Sequence, residues 1–155
     1  MAKTADTEET AAAPAPLTFA ALNFKAASEQ PFEFEFLLPG DEPSGFFLSI
    51  IGSQSDTIEK ASNALTDNER RAELVVAAQA AKARADHPPI RPVAETIKGG
   101  REMVAKRIVG WRGIDVPYSP EKALELVNQN LEVYNQVLKN SNDIRNFVGK
   151  SQANS

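Results

Sequence analysis

The residues that could do chemistry in this chain are few. Glu33 and Glu35 are paired carboxylates among phenylalanines, the residue type and apolar company from which enzymes tune a general acid and a general base. On a strand, however, both share the face opposite Phe32, Phe34 and Phe36, which makes them a solvated side rather than a catalytic pair. Asp86 and His87 form a second acid/base candidate, but adjacent residues held beside Pro88 and Pro89 do not converge on one proton, and a surface histidine is expected. Gly99-Gly100 lacks the preceding strand and the further glycines of a phosphate-cradling loop. With one histidine and no cysteine, neither a thiolate nor a histidine-rich metal site can be built. The expectation is a protein that is not an enzyme, with no catalytic, cofactor-binding or metal-binding residues and no cofactor.

The charge balance narrows the partners. Seventeen basic and twenty-one acidic residues give a net charge of −4, and the pI is near 5.1, so no overall field draws nucleic acid or an anionic membrane. The basic residues Arg70, Arg71, Lys82, Arg84, Arg101, Lys106, Arg107 and Arg112 fall on expected helices. They read as a solvated helix face, with a docking surface for an acidic partner helix as the alternative. No apolar run approaches the roughly 20 residues of a bilayer span, and the first residues do not form a secretory signal. A soluble intracellular protein is expected. Apolar residues at 42% and charged residues at 25% of 155 suffice for one modest core.

These residues must be positioned by a small set of elements. Residues 1–16 are rich in Ala, Pro, Thr and acidic side chains and read as a disordered acidic tail. Residues 17–86 should hold a β-hairpin and helices. Phe32, Phe34 and Phe36 alternate with Glu33 and Glu35 in one strand, residues 39–45 supply turn formers, and residues 46–51 form a second, more buried strand. A lone hairpin is marginal in water, so its phenylalanine face must cover helices, pair with further strands or meet another subunit. Ser53 or Ser55 caps a helix through Ile58, Ala61 and Leu65, and Thr66 or Asp67 restarts another through Leu74, Val75 and Ala78 toward Ala83. The prolines within residues 87–94 make a hinge.

Residues 95–149 form a helical carboxyl-terminal half and 150–155 a flexible tail. Its first helix runs from about Glu95 to Val109 with Ile97, Val104, Ile108 and Trp111 near one face. A corner follows, in which Gly110 and Gly113 bracket the only tryptophan. Ser119 then caps, and Pro120 opens, a helix carrying Ala123, Leu124 and Val127. A break falls at residues 128–130, a stripe of Leu131, Tyr134 and Leu138 comes next, and a last turn holds Ile144, Phe147 and Val148. The expected fold class is α+β, mainly α-helical, with an amino-terminal β-hairpin.

Residues 108–114 (IVGWRGI), a short turn, residues 117–121 (PYSPE), a leucine-bearing helix and residues 142–147 (NDIRNF) together resemble the tail assembly chaperones of long-tailed bacteriophages. The hairpin ending in residues 45–50 (GFFLSI) and the following helix resemble the small β element and helical body of such chaperones. The turn after the tryptophan is abbreviated here to Asp115-Val116. The resemblance implies a non-enzymatic protein of the host cytoplasm, not expected in the mature virion. It would bind the long helical tape measure protein, keep it soluble and help recruit tail tube protein during tail assembly. It also implies a homo-oligomer, and a longer form made by ribosomal frameshifting near residues 148–150. On aromatic placement, Trp111, Tyr118 and Phe147 are assigned to partner binding, and Phe32, Phe34 and Phe36 to self-association. The alternative is a permanent virion component such as a head-tail connector or minor tail protein. A small regulatory or nucleic-acid-binding protein using Arg101, Lys106, Arg107 and Arg112 is a further rival.

Overall fold

A computed structural model describes residues 15–84 and 92–149. Residues 1–14 of the expected 1–16 tail, Asp86, His87, Pro88 and Pro89 of the expected hinge region, and the tail at 150–155 lie outside the described residues. After a short 3-10 turn at Ala20–Leu22 come α1 (Phe24–Ser28), β1 (Phe32–Leu38), β2 (Glu42–Ile50) and α2 (Asp56–Lys82). They are followed by α3 (Val93–Arg107), β3 (Ile108–Arg112), α4 (Pro120–Gln129), α5 (Leu131–Asn142) and α6 (Arg145–Val148).

The three strands form one antiparallel sheet in the order β1-β2-β3. β1 and β2 follow from period-2 alternation joined by residues 39–41, where Gly40 and Asp41 take positive φ. Phe36, Phe46, Leu48 and Ile50 point inward and are buried, while Glu33 stays on the solvent side. Helices α3, α4 and α5 cover the inward face, and Val104, Val127, Val133 and Val137 complete the core.

The expected fold class, a mainly helical α+β chain with a hairpin confined to its amino-terminal part, is overturned by β3. The carboxyl-terminal half contributes the third strand, so the molecule is α+β with a three-stranded sheet and, among the described residues, six α-helices. The helix expected to reach Val109 stops at Arg107, because Ile108 is already extended. Residues 108–112 instead pair with the free edge of β2, Leu48 facing Trp111 and Ile50 facing Ile108. Gly110 sits opposite Ser49, within the strand rather than at a helix end. The expected restart at Thr66 or Asp67 is likewise absent. α2 runs unbroken for 27 residues from its Ser55 cap, because residues 56–82 contain neither proline nor glycine to stop it.

Polar contacts tie the layers together. Gln136 of α5 accepts from the Leu37 amide (2.9 Å) and donates to the Leu37 carbonyl (2.8 Å) beside the irregularity in the β1–β2 ladder. The buried Ser141 hydroxyl donates to the Ile51 carbonyl at 2.8 Å, and the Ile51 amide donates to the Arg107 carbonyl at 2.9 Å. These bonds join the end of β2, the end of α3 and the end of α5. Gly113, at φ +93°, lies so close to the Gly45 carbonyl that a Cβ there would stand 2.0 Å from its oxygen. Only glycine supplies both the backbone angle and the clearance.

Candidate functional site

The corner after β3 is built around aromatic side chains with satisfied polar tips. Trp111 Nε1 donates to the Val116 carbonyl at 2.8 Å, which folds residues 113–117 back over the ring. Tyr118 Oη donates to the Ile108 carbonyl at 2.8 Å. The two rings meet edge to face with centroids 5.3 Å apart, and Phe46 adds a second such contact to Trp111 at 6.0 Å. Partial burial pushes the Tyr118 phenol above its ordinary pKa, and the nearby Glu121 charge adds to this, so the hydroxyl remains a donor.

Beside this corner lies an open groove of about 460 Å³ between α3, β3 and α4. Its floor is apolar, formed by Ala105, Ile108, Val109, Tyr118, Pro120 and Leu124, and its rim carries Glu102, Lys106 and Glu121. A bulge places Val109 there. Gly110 pairs with Ser49 and Ile108 pairs with Ile50, so Val109 is the extra residue on β3. Such a bulge re-aims one side chain, and Val109 is 39% exposed where its neighbour Ile108 is fully inside. Ser119 accepts from the Lys122 amide at 3.1 Å and Pro120 follows at the first helical position, which fixes where α4 starts and so sets the groove's second wall.

The sequence-assigned residues divide between two ends of the sheet. Trp111 and Tyr118 stand together at β3, with Tyr118 on the groove wall and Trp111 packed behind it against the core. Phe147 is separate: it is buried and meets Phe32 of β1, the opposite edge strand, edge to face at 5.9 Å. Phe32, Phe34 and Phe36 all pack against the protein's own core. The intramolecular cover left open for that face is supplied by α5 and α6, with Phe36 buried and Phe32 and Phe34 half-buried against the core.

The carboxylates are also engaged. Arg112 clasps Glu33 through Nε and Nη2, the shortest contact being 2.7 Å, and lays its guanidinium over the Phe47 ring at 3.9 Å. These hydrogen bonds hold the Glu33 carboxyl below the usual carboxylate range, the reverse of what a general acid at neutral pH needs. Glu35 accepts from the Gly45 amide at 2.9 Å. Arg107 is half-buried on α3 and donates to Ser141 and Asn142, so it and Arg112 on the solvent face of the sheet do not form one basic strip. Among the described residues no group of three or more His, Asp or Glu is placed to hold a metal ion, and no helix is long and apolar enough to cross a membrane.

Sequence reading missed Val109, Pro120 and Leu124 as one lining, because a helix ending at Val109 leaves no strand to bulge. The only available signal was the β-branched pair Ile108-Val109 preceding a glycine and an aromatic.

The fold is thus a small α+β domain with an apolar groove framed by charged side chains. Residues 55–155 match the family described as YdaY prophage protein. The chain belongs to that family and is a phage-derived protein. No curated protein and no solved structure matches it.

Proposed function

We propose that this phage-derived chain is a tail assembly chaperone that binds the tape measure protein in the α3–β3–α4 groove, keeps it soluble and helps recruit tail tube protein, without catalysis. The observation that carries the reading is the groove itself. An apolar floor flanked by Glu102, Lys106 and Glu121 suits an amphipathic helix whose apolar face enters while its charged flanks meet the rim. The tape measure protein is a long helical partner, so many weak, repeated contacts of this kind would hold it by avidity and still permit release. The protein would act in the host cytoplasm and leave before the virion matures.

Co-expression with the tape measure protein of the same phage tests the proposal. The expected result is a higher soluble yield of the tape measure protein and co-elution of both chains. Val109→Glu, at an exposed position on the groove floor, should cut co-elution about fivefold or more with the circular dichroism unchanged. A tape measure protein that stays insoluble, with this chain instead found in purified particles, overturns the proposal in favour of a permanent virion component.

A further inference from the structure

Helix α2, at 27 residues, is the longest element among the described residues. Its first turns pack through Ile58 and Leu65, the latter standing against Gly99 of α3, but at 1.5 Å per residue it extends about 40 Å in all. Beyond residue 65 its side chains are largely in solvent, with Leu74 at 71% and Val75 at 56% exposure. At 3.6 residues per turn, Asp67, Arg71, Leu74, Val75, Ala78 and Lys82 fall within an arc of about 100°. One helix face thus carries an apolar centre, an acid at one end and a base at the other.

We propose that this face is a self-association surface, on which a second copy of the chain pairs antiparallel about a twofold axis beside Leu74 and Val75. The charges argue for this occupant and this direction. An isologous contact is reciprocal, so bringing Leu74 of each copy against Val75 of the other also brings Asp67 of each copy opposite Lys82 of the other. Opposite charges therefore close both ends of the contact. A parallel pairing in register sets Asp67 against Asp67 and Lys82 against Lys82, which is unfavourable. In the antiparallel register Arg71 faces Ala78, whose small side chain leaves room for the arginine stem. The surface is distinct from the α3–β3–α4 groove, so the inference stands or falls independently of the chaperone reading.

Sedimentation equilibrium of the full chain, from about 5 µM to about 300 µM, tests it. A reversible monomer–dimer equilibrium is expected, weakened about tenfold or more by the double substitution Leu74→Glu with Val75→Glu, while circular dichroism stays unchanged. Asp67→Lys alone should weaken the dimer, and Asp67→Lys combined with Lys82→Asp should restore it. A chain that is monomeric throughout, a dimer indifferent to the two glutamates, or a charge swap that fails to restore association overturns the proposal.

Discussion

The sheet-centred body and the distal half of α2 are made from similar residues and use them in opposite ways. In the body, Leu48, Ile50, Ile108, Val127 and Val137 are removed from water almost completely. In α2, Leu74, Val75 and Val76 stand exposed on a regular helix. The body is organised by long-range pairing, with β3 joining β2 across more than fifty residues of chain. The distal part of α2 rests on local propensity: its alanines, long polar side chains and Ser55 cap favour helix without tertiary support. Apolar content therefore does not distinguish core from surface here. What does is whether another element arrives to cover it.

Leucine truncation gives the largest predicted contrast. Leu48→Ala removes a fully buried side chain at the centre of the sheet and should cost about 3 to 4 kcal/mol, by lost burial and a residual cavity. Leu74→Ala, the same chemical change at a 71% exposed position, should stay within about 0.5 kcal/mol. Urea denaturation of both variants, at a concentration low enough to keep the chain monomeric, measures the difference. Comparable losses at the two positions would mean that α2 is covered in the monomer, and the contrast between the regions would collapse.

Backbone constraint sharpens the same comparison. Alanine is at home throughout α2, but Gly113→Ala forces a left-handed residue to carry a Cβ that would stand 2.0 Å from the Gly45 carbonyl oxygen. A loss of about 2 kcal/mol is expected, read as a lower denaturation midpoint with an unchanged slope. Because Gly113 closes the turn under Trp111, near-ultraviolet circular dichroism should report the loosened indole as well. Ser119→Ala acts on the same wall more weakly. It removes the hydroxyl that accepts from the Lys122 amide and should cost about 1 kcal/mol.

The strand that sequence reasoning did not foresee shows where its reach ends. β1 and the second half of β2 were legible because apolar residues run through them on either side of turn formers, but the turn read across residues 39–45 closes within 39–41 and β2 already starts at Glu42. The Ser119-Pro120 start of α4 was legible because capping is a local matter. β3 was not, since Ile108 and Trp111 lie three apart and both face inward, the spacing of a helix face. In the structure the bulge at Val109 lets a strand do the same: the extra residue resets the alternation so that Ile108 pairs with Ile50 and Trp111 with Leu48. Five residues cannot declare that bulge by themselves. It exists because β2 presents an unpaired edge, which is a tertiary fact. The groove inherited the same blindness, because its floor at Val109 depends on the bulge. Conversely, Asp67 reads as a helix cap but lies inside α2, where nothing halts the preceding turn and the carboxylate simply faces water.

Acid provides the smallest and most local test of the comparison. Glu33 of β1 is clasped by Arg112 of β3, and chiefly those hydrogen bonds lower its pKa from the ordinary 4.5. Its folded-state pKa is therefore below its unfolded value. The unfolded chain binds this proton first, and stability must fall with falling pH. The contribution is intact above the unfolded pKa and disappears as the pH passes below about 4.5 and through the lowered value. Glu33→Gln should flatten the dependence of stability on pH in that window and leave the dependence above pH 6 unchanged. Asp143, lowered chiefly by its hydrogen bond to Arg145 two residues along, retains its acid response in that variant. If Glu33→Gln leaves the acid slope unchanged, the clasp between β1 and β3 carries no share of the acid response, and the picture of a body cross-linked across its sheet is wrong.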